Sequence, residues 1–395
     1  MSNSVWVQTW GQSHAPLSFF HYPVKNMSFR LVCNTAIQGE KLRVSLSNIY
    51  GKSDIEIGRV TAAKCDENGV ASVTPVTMTF VGRTDFTLKK GLRLLSDPID
   101  MDIKPGEYFC VTAYVASGDL TTGNLLDDAR LMLSKGDRTR EKSFPDDRRT
   151  RDSVVELAGK LLKMHLARPI PVFDSFELLN TTDAKSIVVF GDSVAQQCFW
   201  TVPFEKRIRE RYPEKYSLIN KSVMGNRLLR DCSPIFVAHG LYGCRATDRI
   251  QNDIFPYDGI EYVMLALGVN DIFEYASINA LPSEKPDPKL LFKALCDITD
   301  TLHARGIKVI GFNIPPFGLA PDSTPEKCAM RKEVNDMIYE HLDMFDGFFD
   351  IYATAVDPND PDKGQADFVG GDKLHPNAAG GKLLAEAIDI EMFAE

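Results

Sequence analysis

The sequence predicts two domains, an antiparallel β-sandwich followed by an α/β domain with a parallel sheet. Over residues 1–120, short runs that alternate apolar and polar residues are separated by glycine, proline and asparagine, which is typical of a sandwich or jelly roll. From Ser186 onward, strand-sized apolar runs alternate with amphipathic helical patterns, as in βαβ units. A chain of 395 residues also suits two domains better than one core. We therefore expect a jelly-roll-like β-sandwich accessory domain with its linker over 1–180 and the α/β domain over 181–395.

The elements of the first domain are predicted from runs that end at turn residues. The predicted strands are 5–10, 28–34, 41–47, 56–63, 76–80 and 108–116. Residues 137–152 carry many charges of both signs, which favours an exposed, mobile loop, with a contact surface for another subunit as the alternative. Residues 153–182 have a mixed pattern and are interpreted as the join between the domains.

The second domain is predicted from five apolar runs with helical patterns between them. The predicted strands are 186–190, 216–222, 262–267, 308–313 and 348–351, and the predicted helices are 198–211, 288–305, 326–342 and 378–392. Strands separated by amphipathic helices indicate a parallel sheet with helices on both faces, a three-layer αβα arrangement. Such sheets place their chemistry at the carboxyl ends of the strands.

The composition excludes several classes of function. A net charge of −9 and a pI of about 5.4 argue against general nucleic-acid binding, which needs a basic surface. No apolar stretch approaches the length of a membrane span, and the first residues lack the basic and apolar regions of a secretory signal. None of the eight cysteines forms a CxxC pair, which favours unpaired thiols in a reducing compartment. We expect a cytoplasmic protein without a membrane partner.

A serine follows the first strand of the predicted parallel sheet. Gly191-Asp192-Ser193 would place the Ser193 hydroxyl at the carboxyl edge of the sheet, where a nucleophile could act. The alternative is that Ser193 is only the N-cap of the next helix. The turn differs from the G-x-S-x-G nucleophile elbow of α/β-hydrolases, because Ala195 stands where that motif has its second glycine.

A histidine near the end of the chain has a carboxylate close by in sequence. Asp372 lies three residues before His375, so its carboxylate can reach Nδ1 of the ring. Serine, histidine and a carboxylate are the parts of an acyl-transfer triad, which is recognised by roles and not by chain order. The alternative is a turn at the start of the last helix, with Asp372 or Asn377 as its cap.

Two further residues follow the second and third strands of the predicted sheet. Gly225 could serve only a sharp strand exit, and Asn270 could serve only an Asx turn. Together they would place a backbone N–H and a side-chain amide beside Ser193. Donors of this kind stabilise the oxyanion that develops during ester hydrolysis.

These four blocks resemble, in order, those of the SGNH, or GDSL-type, hydrolase superfamily, over residues 186–392. The resemblance implies a flavodoxin-like sheet and a reaction without a cofactor or a metal. It also implies that Ser193 is the nucleophile and that its N–H, the Gly225 N–H and the Asn270 side chain form the oxyanion hole. His375 would be the general base and then the general acid, and Asp372 would orient it.

The first domain narrows the resemblance. Trp6 and Trp10, with residues 46–51 and 95–98, look like the β-domain of a two-domain subgroup that includes acetylxylan-esterase-like proteins. This implies a serine esterase that removes acetyl groups from short plant-type oligosaccharides. After Ser193 the chain has Val-Ala-Gln-Gln where the family has isoleucine or leucine followed by Thr-Asp-Gly or similar, and this departure concerns the shape of the acyl pocket. Polar Gln196 and Gln197, without a lipase-like apolar cap, favour a short acyl group.

Other functions are weighed beside this one. A general short-chain acyl esterase, or a lipase-like hydrolase of non-carbohydrate esters, fits the same triad. A non-catalytic carbohydrate-binding protein with a relic hydrolase domain is the alternative from another class. Cys232, His239 and Cys244 have a spacing that fits no common zinc pattern, so no metal site is expected. The expected partner is a small ester or an acetylated oligosaccharide, and a homo-oligomer through the β-domain stays open.

Overall fold

The structure is a computed structural model that describes residues 4–17, 23–145, 169–238 and 240–394. Up to Asn180 its paired strands are antiparallel, and from Lys185 five strands form a parallel sheet with helices between them. The predicted fold class is therefore confirmed. The boundary between residues 180 and 181 stays a prediction.

Within the described residues, the N-terminal strands form two large sheets and one small sheet. The first large sheet has the order β1 (Val5–Gly11), β14 (Phe173–Asn180), β4 (Gly39–Ser47), β8 (Arg93–Leu95), with β9 (Ile99–Ile103) also paired to β4. The second has the order β12 (Arg130–Lys135), β3 (Pro23–Asn34), β10 (Tyr108–Asp119), β5 (Ile55–Cys65), β6 (Val76–Met78), with β7 (Phe86–Leu88) paired to β5. The small sheet has the order β13 (Pro169–Pro171), β11 (Thr122–Leu125), β2 (Ala15–Pro16).

The two large sheets share one hydrophobic core. Successive side chains of a strand point to opposite faces, so one face of each sheet can be apolar throughout. Val44 and Phe176 of the first sheet are buried in the same cluster as Leu31 and Phe109 of the second. The Phe109 and Phe176 rings meet edge to face with their centroids 5.9 Å apart. This is the packing of a β-sandwich.

Strand β14 lies in the segment that the sequence analysis interprets as the join between the domains. The interpretation is wrong over Phe173–Asn180, because β14 pairs with both β1 and β4. The strand carries two buried carboxylates, Asp174 and Glu177, which break the apolar pattern. Each carboxylate is paired with an arginine of the same sheet, Asp174 with Arg93 at 2.9 Å and Glu177 with Arg43 at 2.7 Å. Only the folded structure reveals these partners.

The charged segment 137–152 is described as far as residue 145. The Arg30 guanidinium of β3 donates to the carbonyl oxygens of Glu141 at 2.7 Å and Lys142 at 2.9 Å. The Thr61 hydroxyl of β5 donates to the carbonyl of Thr139 at 2.7 Å. Residues 139, 141 and 142 are therefore hydrogen-bonded to the second large sheet, and 146–152 lie outside the described residues.

The parallel sheet of the C-terminal half has five strands in the described residues. Their spatial order is β16 (Tyr216–Asn220), β15 (Lys185–Gly191), β17 (Ile260–Ala266), β18 (Lys308–Phe312), β19 (Gly347–Phe349). In chain order this is 2-1-3-4-5, the flavodoxin-like order. The chain crosses from one edge to the middle between its second and third strands, next to β15, the strand that leads to Ser193. A small hairpin follows, formed by β20 (Val356–Asp357) and β21 (Asp360–Gly364).

Helices cover both faces of this sheet. They are α1 (Ser193–Gln196), α2 (Thr201–Arg211), α3 (Ala246–Asp253), α4 (Val269–Glu274), α5 (Pro288–His303), α6 (Pro325–Glu340), α7 (Ile351–Ala355), α8 (Ala378–Ala387), with 3₁₀ turns at Pro282–Glu284, Leu342–Met344 and Ile390–Phe393. Alternate residues of β15 are buried on opposite faces of the sheet. Ile187 and Val189 lie in one hydrophobic cluster with residues of α2 and α8, and Val188 and Phe190 lie in another with residues of α3, α5 and α6. No helix in the described ranges combines the length and apolar character that a membrane span needs.

Two predicted helices have different limits in the structure. The helix predicted over 198–211 begins at Thr201, because Cys198 has a left-handed φ of 65°. The helix predicted over 378–392 ends at Ala387, because Ile388 is extended, and a 3₁₀ turn capped by Asp389 follows. Both segments keep a helical pattern of apolar residues, so the pattern alone does not reveal the break.

The sandwich lies against the edge of the parallel sheet. Strand β1 runs beside the edge strand β16, and the Ser217 hydroxyl of β16 donates to the Gln8 carbonyl of β1. On β11, the Asn124 side chain donates to the carbonyl of Ser222 at 2.8 Å. An uncovered edge strand exposes unpaired backbone groups, and here the N-terminal sheets cover that edge.

A buried cluster of charges fills this junction. Asp174 of β14 contacts Arg93, the His14 ring and the Tyr257 hydroxyl, each at 2.9 Å. Burial raises the pKa of Asp174, but the charge of Arg93 and the hydrogen bond from His14 outweigh it, so the pKa falls below its usual range. Burial lowers the pKa of the nearby Lys221 ammonium to about 8, although Asp174 opposes this shift. The two halves of the chain are thus joined by paired charges as well as by apolar packing.

Candidate active site

Ser193 is the first residue of the short helix α1, directly after β15. The N-cap is Asp192, whose carboxylate accepts from the Val194 N–H at 3.0 Å. Asp192 is buried, and burial raises the pKa of its carboxyl to about 7. Ser193 is therefore not the cap of this helix, and its hydroxyl is free to bond elsewhere.

The structure brings Ser193, His375 and Asp372 together. His375 Nε2 lies 2.7 Å from Ser193 Oγ, across 182 positions of sequence. His375 Nδ1 lies 2.7 Å from Asp372 Oδ2. Because a carboxylate only accepts, Nδ1 carries the proton toward Asp372 and Nε2 is left to accept the proton of the serine hydroxyl. This is the geometry of a general base held beside a nucleophile.

The Asp372 carboxylate is fixed by its own turn. Its Oδ1 accepts from the backbone N–H groups of Leu374 and His375, each at 3.0 Å. Burial raises the pKa of Asp372, but the hydrogen bond and charge of His375 outweigh it, so the pKa is below its usual value and the group stays ionised. In the same turn, Lys373 adopts a left-handed φ of 63°. Strain of this kind is stored where a site requires a tight turn.

The alternative interpretation of this turn, as the start of the last helix with Asp372 or Asn377 as its cap, is correct for Asn377 only. Asn377 does cap α8, since its side-chain oxygen accepts from the Gly380 N–H at 2.9 Å. Asp372 does not cap that helix. The Gly370 N–H donates to the carbonyl of His375 at 2.7 Å, which closes the loop that presents the ring.

Gly225 lies in the loop after β16 with a left-handed φ of 64°. A Cβ at this position would overlap the ring of Tyr242, so both the backbone angle and the space require glycine. Among the described residues, no acceptor pairs with the backbone N–H of Gly225 or with that of Ser193. Two N–H groups with no internal partner beside a nucleophile are what an oxyanion hole uses.

Asn270 lies at the start of α4, after β17. One N–H of its side chain donates to the carbonyl of Asn226 at 3.0 Å, the residue after Gly225. This bond ties the Asn270 amide to the Gly225 loop and leaves its second N–H for another acceptor. The structure therefore brings Ser193, Gly225 and Asn270 to neighbouring strand ends of one sheet.

Asp271 is a residue that the sequence analysis misses. It is buried, and its carboxylate accepts from the N–H groups of Leu228 at 2.6 Å and Leu229 at 2.9 Å. Burial raises the pKa of the Asp271 carboxyl to about 6. Its position beside Asn270 is the available sequence signal, but its partners lie 42 or 43 positions away. Asp271 holds the segment that follows Gly225.

The polar side chains after Ser193 are not open to solvent. Gln196 and Gln197 are both buried, and the Gln196 amide donates to the carbonyl of Leu125 in β11. The N-terminal region thus covers the helix that begins at the serine.

Of the three residues considered for a metal site, His239 lies outside the described residues. Elsewhere in the described ranges, no three His, Cys, Asp or Glu side chains are grouped to hold a metal ion.

A comparison with known families identifies this part of the chain. Residues 189–383 match the sequence model of the GDSL-like Lipase/Acylhydrolase family. This part of the chain belongs to that family. The predicted resemblance to the GDSL-type hydrolase superfamily is confirmed. The chain is a carboxylic ester hydrolase, and the matched residues include Ser193, Asn270 and His375.

Solved structures similar to the GDSL domain have low sequence identity to it. An acetyl xylan esterase is 18% identical with a TM-score of 0.39, over 51% of this chain and 97% of that one. A GDSL-like lipase from Bacteroides thetaiotaomicron VPI-5482 is 14% identical with a TM-score of 0.38, over 53% and 87%. The esterase EstA from Pseudoalteromonas sp., inhibited by monoethylphosphonate, is 16% identical with a TM-score of 0.36, over 52% and 94%. No curated protein matches the sequence.

Proposed function

We propose that Ser193, His375 and Asp372 are a catalytic triad that hydrolyses carboxylic esters through an acyl-enzyme. His375 Nε2 removes the hydroxyl proton as Ser193 Oγ attacks the ester carbon, and the ring then gives that proton to the leaving alcohol. Asp372 keeps Nδ1 protonated and stabilises the imidazolium. The observation that carries the proposal is the unbroken hydrogen-bonded chain from carboxylate to ring to hydroxyl, 2.7 Å at each link.

The second half of the reaction uses the same groups. His375 removes a proton from a water molecule, the resulting hydroxide attacks the acyl carbon, and the proton returns to Ser193 Oγ as the carboxylic acid leaves. In both halves the carbonyl oxygen becomes an oxyanion. We assign its stabilisation to the N–H groups of Ser193 and Gly225 and to the second N–H of the Asn270 side chain.

For the substrate, we propose acetyl esters of short plant-type oligosaccharides. The sequence resemblance of the N-terminal domain to modules of carbohydrate esterases supports the alcohol part. Gln196 and Gln197 are both buried, and the Gln196 amide is bonded to β11, so the chain after the serine packs against protein. This supports a short acyl group. The substrate is a small molecule in either case.

A second candidate, an esterase or lipase-like enzyme for apolar esters, is favoured by a different observation. Two loops next to the proposed oxyanion hole expose large aliphatic side chains, Ile235 and Val237 on one and Ile278 on the other. Val237 is 72% exposed and Ile278 is 85% exposed. The loops meet where the Asn279 side chain donates to the Tyr242 hydroxyl at 3.5 Å. The sequence predicts no apolar cap, so these exposed side chains are the feature to test.

The triad is tested by kinetics on p-nitrophenyl acetate. Ser193→Ala and His375→Ala should each lower kcat by about 10³-fold or more, because triad residues act as a unit. Circular dichroism and urea unfolding should show that both variants remain folded. A Ser193→Ala protein with the kcat of the unchanged enzyme would contradict the proposed triad.

The substrate class is tested by a panel of esters. Acetylated xylo-oligosaccharides and manno-oligosaccharides, with nitrophenyl acetate, butyrate and octanoate, should give the highest kcat/KM for acetyl groups on sugars. Val237→Ser should then leave sugar turnover unchanged. If octanoate is the best substrate, and Val237→Ser lowers kcat/KM for octanoate while the control variant does not, the apolar-ester candidate is correct. Val81→Ser, at an N-terminal residue that is 80% exposed, is the matched control.

A further inference from the structure

Arg249 of α3 is a buried cation with every part of its guanidinium engaged. It is 1% exposed, and its Cζ lies 4.2 Å from the centroid of the Phe190 ring. Its Nε donates to Asn226 Oδ1 at 3.2 Å, and its Nη2 donates to Gly191 O at 3.2 Å. Its Nη1 lies 2.8 Å from Ser13 Oγ, 2.6 Å from Lys221 O and 2.9 Å from Asp253 Oδ2. Asp253 supplies the opposite charge within the same helix, so the cation is paired.

Two of these acceptors, Gly191 O and Lys221 O, lie at the ends of the two strands that frame the proposed site. Gly191 is the last residue of β15, two positions before Ser193, and Lys221 directly follows β16. Arg249 also packs on Phe190, so it holds the end of β15 from the side and through a carbonyl. A planar guanidinium with five donors can fix several acceptors in one plane, which a single ammonium cannot do.

Asn226 connects this cation to the proposed oxyanion hole. Its side-chain oxygen accepts from Arg249 Nε, and its side-chain nitrogen donates to the carbonyls of Tyr242 at 2.8 Å and Cys244 at 2.7 Å. Its backbone carbonyl accepts from the Asn270 side chain at 3.0 Å. Asn226 directly follows Gly225. A shift of Asn226 would therefore move two of the three proposed oxyanion donors together.

Ser13 brings the N-terminal region into the same network. It is fully buried in the segment between β1 and β2, and its hydroxyl accepts from Arg249 Nη1. The same hydroxyl lies 2.7 Å from both Lys221 O and Asp253 Oδ2, so its one proton goes to either acceptor. The Lys221 ammonium in turn donates to the carbonyl of Gln12 at 2.9 Å. Hydrogen bonds therefore join the N-terminal region to the parallel-sheet domain at Arg249 and Lys221.

We propose that Arg249 is a positioning residue for the oxyanion hole, acting through Asn226 and held in place by Ser13 of the N-terminal region. None of the hydrogen bonds that the described residues give Arg249 goes to Ser193, His375 or Asp372. By this proposal it acts on the reaction through Asn226 and the Gly225 loop, and not through Gly191 of β15. The N-terminal sandwich is, by this proposal, a support of the active site. The inference rests on the proposed function of Gly225 and Asn270.

The first test is Arg249→Lys, measured by kcat and KM on p-nitrophenyl acetate. Loss of the fork should lower kcat by about 10- to 100-fold with KM nearly unchanged, because small displacements of transition-state donors cost rate more than ground-state binding. The rate of phosphonylation by a fluorophosphonate should fall by a similar factor, since the phosphonyl oxygen uses the same donors. Arg245→Lys, at the N-cap of the same helix but bonded to exposed Asp248, is the matched control and should change neither value.

Ser13→Ala is the milder variant if Arg249→Lys does not fold. It removes one hydrogen-bond partner of the cation without changing charge, so kcat should fall by about 2- to 10-fold. In an Asn226→Ala background, Arg249→Lys should have little further effect on kcat, because the connection to the Gly225 loop is already broken.

The outcomes separate a positioning role from a merely structural one. If Arg249→Lys and Ser13→Ala lower the urea midpoint but keep kcat, the proposal is wrong. The proposal would also be wrong if Arg249→Lys lowered kcat by the same factor in the otherwise unchanged protein and in the Asn226→Ala variant. A fully active Ser193→Ala protein would instead overturn the proposed function itself, so the two failures are distinguishable.

Discussion

Replacing Gly225 with alanine should damage both stability and catalysis, for two separable reasons. The residue has a φ of 64°, a left-handed angle that costs a non-glycine residue about 1–2 kcal/mol. The new Cβ would also overlap the Tyr242 ring. That ring stacks on Phe236 with the centroids 4.0 Å apart, so it cannot swing away freely.

The expected size of the effect follows from these two causes. Overpacking at a filled position costs about 1–3 kcal/mol, so the free energy of unfolding should fall by about 2–5 kcal/mol in total. If the loop moves to relieve the overlap, the Gly225 N–H leaves its position. Loss of one oxyanion donor lowers kcat by about 10²- to 10³-fold.

A set of variants separates strain from overlap. Gly306 has a similar φ of 74° but open space around a built Cβ, so Gly306→Ala should cost only about 1–2 kcal/mol and keep kcat. Tyr242→Ala combined with Gly225→Ala removes the overlap and should recover part of the lost kcat relative to Gly225→Ala alone. Urea unfolding and nitrophenyl acetate kinetics on both singles and the double complete the cycle.

Two results would contradict these expectations for Gly225. A Gly225→Ala enzyme with unchanged kcat would show that the Gly225 N–H does not stabilise the transition state. An equal loss of stability in Gly225→Ala and Gly306→Ala would show that the Tyr242 ring does not restrict this position.

Three further predictions concern the carboxylates and the amide of the site. Asn270→Ala should lower kcat by about 10²- to 10³-fold with little change in KM, and a change confined to KM would show ground-state binding instead. Asp271→Asn should lower kcat, because an amide cannot accept from both Leu228 and Leu229 through two oxygens; steady-state kinetics at unchanged circular dichroism check this. Asp192 has a raised pKa of about 7 against an ordinary 3.8, so the native state binds its proton more tightly and stability should fall as pH rises between about 4 and 7. Asp192→Asn should reduce this slope, by at most about 1.4 kcal/mol per pH unit, in urea unfolding across that range; equal slopes in both proteins would contradict the assignment.

The sequence predicts the parallel sheet well because its strands are fully buried. Continuous apolar runs such as that ending at Phe190 leave few alternatives, and the intervening helices have a clear apolar face. The residues at the strand ends could also be placed beside one another. A parallel sheet of known order brings the ends of neighbouring strands together, whatever their distance in sequence.

The remaining features depend on partners that the sequence does not pair. Strand β14 is hidden because Asp174 and Glu177 are polar yet buried, and their arginines lie elsewhere in the chain. Asp271 and Arg249 support the site through bonds to residues far away in sequence, with acceptors and donors that are mostly backbone groups. Backbone groups have no sequence signature, so contacts of this kind become visible only in three dimensions.

Labelling with a fluorophosphonate tests directly whether Ser193 is the nucleophile. In the reaction, Ser193 Oγ attacks phosphorus, fluoride leaves, and a stable phosphonyl ester forms on the serine. We expect one phosphonyl group for each chain, located on Ser193 by mass spectrometry, absent in Ser193→Ala and formed much more slowly in His375→Ala. An active esterase that is labelled at another residue, or that stays unlabelled while it hydrolyses nitrophenyl acetate, would show that Ser193 is not the nucleophile.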